Sequence, residues 1–144
     1  MAKEYQAGGF MGVLNGAMKT VLKLGFGPPG IALLSVPGRK TGRMVETPVS
    51  PVTRSGITYV VSPYGVRGWA RNVRAAGRLN LGRGKHAPEF RAIELAPTEA
   101  APILRQYWHE QKVTRPYFDV TETSPDQAWE AEAPRHPVFR LEAA

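Results

Sequence analysis

The run Gly38-Arg39-Lys40-Thr41-Gly42-Arg43 sets three cations and a hydroxyl around two glycines. Glycines allow backbone N–H groups to converge in a concave nest. Arginine adds a planar fork and lysine a point charge, donors that match phosphate or carboxylate oxygens. The run therefore reads either as an anion site or as a solvated turn that happens to be basic. A second basic, glycine-bearing loop follows at Ser62-Pro63-Tyr64-Gly65-Val66-Arg67-Gly68-Trp69, with Arg71 and Asn72 on the next helical turn. Irregular backbone there can expose amides to a planar ring. Trp69 supplies a flat wall or, alternatively, packs in the core.

Other chemistries lack their residues. His86, His109 and His136 are far apart, and His109-Glu110 lacks the second histidine of a zincin helix, so no metal site is expected. With no cysteine there is no disulfide framework, thiolate nucleophile or thiolate-bound metal. No Gly-x-Ser-x-Gly elbow occurs, and the scarcity of acids in the first half leaves few partners for a histidine, which argues against hydrolysis. The basic turn also lacks the four-residue gap of a triphosphate loop and joins two strands.

Charge is concentrated by position. Between Tyr5 and Pro88 the single acid Glu46 faces twelve Lys or Arg, a formal +11, whereas the chain from Glu89 onward is formally −4. A one-signed field of this kind selects a polyanion: nucleic acid, an anionic membrane surface, or a small ligand carrying phosphates and carboxylates. No aromatic-interleaved RNA signature, helix-turn-helix spacing or zinc finger supports nucleic acid.

The elements that must position these residues follow from periodicity. At 144 residues the chain suits one domain with a single site. Phe10, Val13, Leu14, Ala17, Met18, Val21 and Leu22 predict an amphipathic helix over about 9–24, closed by Gly25 to Gly30. It reads as a packing helix, with Lys19 and Lys23 leaving a peripheral membrane contact as the second reading. Strands are expected at 31–36, 45–52, 57–62, 79–81, 90–95 and 138–141. The prolines at 48 and 51 mark the second as an irregular or edge strand. Arg54-Ser55-Gly56 makes a hairpin, Trp69 to Ala76 a short helix ended by Gly77, and Thr98 a cap for a helix from Glu99 to about Lys112. The basic stretch Gly82-Arg83-Gly84-Lys85 separates two of the strands. Hairpin-rich strands favour an antiparallel sheet or small barrel with helices outside, an α+β class.

In order and spacing, the segment from Ile31 to Trp108 resembles the deazaflavin-dependent nitroreductase family. These are split β-barrel proteins, FMN-binding-like in fold, that bind coenzyme F-420. The anchors are the apolar strand before Gly38-Arg39-Lys40-Thr41-Gly42, the step Thr47-Pro48-Val49, the Ser62–Gly65 loop, and Trp69-Ala70-Arg71-Asn72-Val73, similar to the family's Trp-Tyr-x-Asn-Leu. The resemblance implies that Arg39, Lys40, Thr41 and Arg43 hold the phosphate and oligoglutamate tail. It implies too that Pro48, Val49, Ser62, Tyr64 and Gly65 lie by the ring, with Trp69 and Asn72 supporting the same pocket. A polyanionic tail is the ligand an acid-depleted half should select, and FMN carries far less charge.

The expected function is reduction of an electron-poor acceptor, such as a quinone, an enone or lactone, or a nitroaromatic, by hydride from the deazaflavin. The proton is assigned to solvent, Tyr64 or Tyr117. Where relatives are rich in tyrosine, this chain has Arg115-Pro116-Tyr117-Phe118-Asp119, which puts nitroimidazole reduction in doubt. Trp108, Tyr117 and Phe118 are expected to wall the substrate, or else to be core aromatics. The alternatives are an FMN-dependent relative of the pyridoxamine phosphate oxidases and a non-catalytic carrier of the coenzyme or a lipid. A monomer or homodimer in the cytoplasm is expected, since neither an export signal nor a spanning segment is visible.

Overall fold

The computed structural model describes residues 9–27, 29–84 and 86–144, with side chains from residue 16 onward. The side chains of Phe10, Val13 and Leu14 in the expected apolar stripe, and Lys85 in the basic stretch, lie outside the described residues. Helix α1 (Gly9–Lys23) leads into β1 (Ala32–Pro37), β2 (Met44–Val49), β3 (Val52–Arg54), β4 (Ile57–Val61), α2 (Gly68–Ala76), β5 (Arg78–Gly82) and β6 (Glu89–Glu94). Helix α3 (Pro97–Glu110), a 3-10 turn (Lys112–Tyr117), α4 (Asp126–Glu132), a second short 3-10 turn and β7 (Val138–Ala143) complete the order.

All seven strands join one antiparallel sheet in the order β2-β1-β5-β6-β7-β4-β3. The two ends of that order, β2 and β3, are consecutive in the chain and separated only by Ser50 and Pro51. Three extended residues span roughly 10 Å, whereas the edges of a flat seven-stranded sheet stand roughly 29 Å apart. The sheet therefore curls until its edges meet at a seam that carries no ladder between β2 and β3. This is the expected split β-barrel, and Pro48 and Pro51 sit at the edge, where a missing N–H breaks no ladder.

The curled sheet buries different side chains on its two faces. Leu34, Val36, Val60, Leu79, Phe139 and Leu141 close around Trp69, Ala70 and Val73 of α2, so α2 is held against one face. Val52, Val61 and Val138 point the other way, where α3, α4 and the second 3-10 turn supply Leu104, Tyr107, Trp108, Trp129 and Ala133. Alternation along β4 (Val60 to one core, Val61 to the other) and β7 (Val138, then Phe139) is the period-two pattern of a sheet buried on both faces.

Several boundaries differ from the sequence expectation. The strand expected over 45–52 is broken at Ser50-Pro51 into β2 and β3. Helix α3 begins at Pro97 with Ala96 in the cap position and no side-chain cap, so Thr98 lies in the first turn rather than capping it. Proline at the first helical position, with its fixed φ and no N–H to satisfy, starts the helix instead. Helix α4 was not expected, because seven residues are too few for a clear period. The amphipathic α1 packs only in part: Leu22 is fully buried, while Leu24 and Phe26 beyond it are 64% and 67% exposed. No helix among the described residues is long and apolar enough to cross a membrane.

Helix α2 is ended by Gly77 at φ 69°, whose N–H returns to the Val73 carbonyl at 2.8 Å. A Cβ added there would meet nothing within 4 Å, so only the backbone conformation resists substitution. Gly77→Ala should cost about 1 kcal/mol, read as a lower urea midpoint with an unchanged slope.

Candidate active site at the barrel seam

A cavity of about 390 Å³ opens at the seam. Val45, Thr47, Pro48 and Val49 of β2, with Ser50 of the link, form one side; Val61, Pro63, Tyr64, Arg67, Gly68 and Trp69 form the next; Tyr107, Gln111, Val113 and Thr114 close it. Val113 is 76% exposed, so an apolar lip marks the mouth. Among these lining residues there is no carboxylate. Trp69 and Pro48 bring flat apolar groups to this lining, and Thr47, Ser50, Tyr64, Tyr107, Gln111 and Thr114 bring hydroxyls and an amide.

Of the residues expected at the ring, Pro48, Val49, Tyr64 and Trp69 line the cavity. Ser62 does not: it is fully buried, its N–H donates to the Pro137 carbonyl at 2.9 Å and its Oγ donates to the Gly65 carbonyl at 2.5 Å. Ser62 and Gly65, the latter at φ 102°, thus shape the loop that carries Tyr64 rather than face the cavity.

The basic turn is fixed by its own backbone. Gly38 N–H donates to the Arg43 carbonyl at 2.7 Å, Gly42 N–H to the Gly38 carbonyl at 2.8 Å, and Arg43 N–H to Thr41 Oγ1 at 3.2 Å. Asn72, buried on α2, ties this turn to the cavity wall: its Oδ1 accepts from the Arg39 N–H at 3.0 Å and from the Arg39 guanidinium at 2.8 Å. The same guanidinium reaches the carbonyl of Gly68, a lining residue, at 3.4 Å. Arg39 is therefore largely engaged in holding turn to helix, and the exposed side chains of Lys40 and Arg43 are the cations left to meet an anion beside the cavity. Helix α2 starts after Arg67 with no side-chain cap and no acid in its first turn to answer the N–H groups there.

The expected substrate wall is mostly elsewhere. Trp108 lies in the core, edge to face with Trp129 at 5.9 Å, while the Arg115 guanidinium covers its ring at 3.8 Å. Phe118 is buried and stacks on His136 at 3.9 Å. Only Tyr117 stays near the cavity, half-buried against the ring of Tyr64 at 4.8 Å and 84°.

Tyr107 and Thr114 were missed. On α3, Tyr107 shares the apolar stripe of Ala100, Ile103 and Leu104, so its spacing reads as core. The available signal was chemical, because a buried phenol needs a partner. The 3-10 turn brings Thr114 back to its hydroxyl. Burial, with some repulsion from Tyr64, pushes the Tyr107 phenol well above its ordinary value despite the bond to Thr114. It is a neutral donor throughout the working pH range.

Residues 13–127 match the F-420H(2)-dependent quinone reductase family. None of the curated proteins matches the chain. Among solved structures, a protein of unknown function from Agrobacterium tumefaciens is similar at TM-score 0.57 and 16% identity, covering 79% of this chain and 48% of its own; this chain spans about half of that protein. A domain-swapped dimer is similar at TM-score 0.51 and 22% identity, covering 88% and 95% of the two chains. An FAD-binding protein from Mesorhizobium loti is similar at TM-score 0.50 and 15% identity, covering 89% and 88%. These likenesses establish the shared fold.

A phenol whose pKa is raised by folding stays protonated while the unfolded chain ionises. Stability from Tyr107 is thus complete below the ordinary tyrosine value of about 10 and lost as pH climbs beyond it. Chemical denaturation between pH 8 and 11 should show the parent protein losing stability above pH 10 more steeply than Tyr107→Phe.

Proposed function

Because the chain belongs to the F-420H(2)-dependent quinone reductase family, we propose that the seam cavity holds the ring of its coenzyme against a quinone-type acceptor. The protein is a reductase that uses coenzyme F-420. The observation that carries the site assignment is a cavity free of carboxylates, joined through Gly68 and Asn72 to a turn whose Lys40 and Arg43 are uncommitted. The residues fit such a group: flat apolar side chains for a ring system, hydroxyl and amide groups among them, and cations on the basic turn for an anionic tail. Bound there, the reduced coenzyme supplies a hydride.

The chain's own work is to hold, orient and exclude water. Trp69, Pro48 and Val49 provide the apolar faces that keep water from the ring, and Arg67 with the first turn of α2 favours negative charge at the cavity's basic end. Reduction of a quinone adds a proton as well as a hydride. Tyr64 and Tyr107 are the lining phenols, and Tyr107 is oriented by Thr114 and kept neutral by burial. Tyr107 lines the cavity as a neutral phenol, so its proton can turn from Thr114 to an acceptor oxygen as charge develops there. Tyr117 stands behind Tyr64 and supports it.

Fluorescence titration with oxidised coenzyme F-420 should give micromolar or tighter binding and FMN should bind weakly. The double variant Lys40→Ala/Arg43→Ala should lose most of the deazaflavin affinity while keeping its melting temperature, since neither side chain ties the turn to α2. Equal or tighter FMN binding would point to a flavin enzyme instead. With a soluble quinone, Tyr107→Phe should lower kcat about 100-fold at unchanged coenzyme affinity; an unaltered kcat would remove Tyr107 from the reaction.

A further inference from the structure

Behind the tyrosine end of the cavity lies a buried ionic cluster that hydride transfer itself does not require. Glu132, at the end of α4, is 1% exposed. Its Oε1 accepts the Asp119 backbone N–H at 2.5 Å, and the Arg135 guanidinium donates to both carboxylate oxygens at 2.6 and 2.7 Å. His136 Nε2 stands 3.2 Å from the other oxygen. Burial alone would push this carboxyl up, but His136, Arg135 and the Asp119 N–H together hold it below the usual carboxylate range. An ionised carboxylate buried this deeply is poor value as a stabilising device, because an apolar group of its size would pack as well or better.

What the cluster does hold is the backbone on both sides of the tyrosine pair. On one side, the N–H it captures is two residues beyond Tyr117, and the intervening Phe118 ring lies flat on the His136 imidazole, 13° from parallel. On the other side, the residue after His136 is Pro137, whose carbonyl receives the Ser62 N–H, and Ser62 in turn fixes the Gly65 carbonyl. Tyr64 is bracketed by these two bonds. The rings of Tyr64 and Tyr117 meet edge to face where the two strings converge.

We propose that Glu132 is a positioning residue for the acceptor. Its carboxylate sets the Tyr64–Tyr117 pair, and with it the shape of the wall the acceptor meets, while the basic turn, held to α2 by Asn72, is left untouched. The proposal rests on the reading of the seam cavity as the coenzyme and acceptor site. Glu132→Gln keeps the size and one acceptor oxygen but removes the charge that organises Arg135 and His136.

The test uses the full chain, menadione as acceptor and oxidised coenzyme F-420 as the binding probe, with Glu132→Gln examined alone and combined with Tyr117→Ala. The KM for menadione should rise about ten-fold, coenzyme affinity should change less than two-fold, and the double variant should be no worse than Tyr117→Ala alone, because both act through one wall. An unchanged KM with only a lower melting temperature, or KM effects that multiply in the double variant, would make Glu132 a fold residue and overturn the proposal. If Glu132→Gln does not accumulate folded, Arg135→Lys, at a half-exposed site, breaks the paired hydrogen bonds and is read in the same way. Failure of the parent protein to bind the coenzyme would overturn the cofactor reading, and this proposal with it, before any variant is compared.

Discussion

The two-residue link between Val49 and Val52 is the constraint on which the rest depends. A chain that passes from one edge of a seven-stranded sheet to the other through Ser50 and Pro51 cannot leave that sheet flat. Curling it leaves two faces to be covered, and α2 covers one of them with Trp69, Ala70 and Val73. The seam where the edges meet without hydrogen bonds is also where backbone can diverge, so the cavity forms there and takes its walls from β2, the link and the start of α2. Architecture and site have one cause.

Around this cavity, the walls are set by buried polar groups in or just behind them. Asn72 locks the basic turn to α2, Ser62 locks the loop of Tyr64, and Thr114 orients Tyr107. Each makes hydrogen bonds that an apolar residue could not, and each would carry a desolvation penalty if its partner were lost. Such a layer gives the walls a single geometry, which hydride transfer requires more than it requires any reactive side chain.

The charge asymmetry of the sequence acquires a spatial meaning. Carboxylates of the acidic second half, on β6 and β7, pair with arginines of α2, β5 and β6: Arg74 with Glu94, Arg78 with Glu89 and Arg91 with Glu142. Exposed pairs of this kind add little stability, but they neutralise the outer sheet. Among the described residues no carboxylate pairs with Lys40 or Arg43, so the positive field persists at the turn beside the cavity. An anionic tail is thereby directed to one place.

The family resemblance pointed to four of the cavity residues, Pro48, Val49, Tyr64 and Trp69, whereas the sequence by itself determined the antiparallel strands, the edge character of the proline-bearing strand, α2 with its Gly77 stop, and the basic turn. Those last are local facts, fixed by period and by proline and glycine chemistry. Only the tertiary structure decided that Arg39 and Asn72 bind each other across 33 positions, that Trp108 and Phe118 belong to the core, and that Tyr107 reaches the cavity. A helix stripe records which side chains leave water but not whether they meet a core or a cavity, since both exclude water alike. Glu132 was equally hidden, because a charge in a sequence reads as surface until the fold supplies the partners that allow it to be buried.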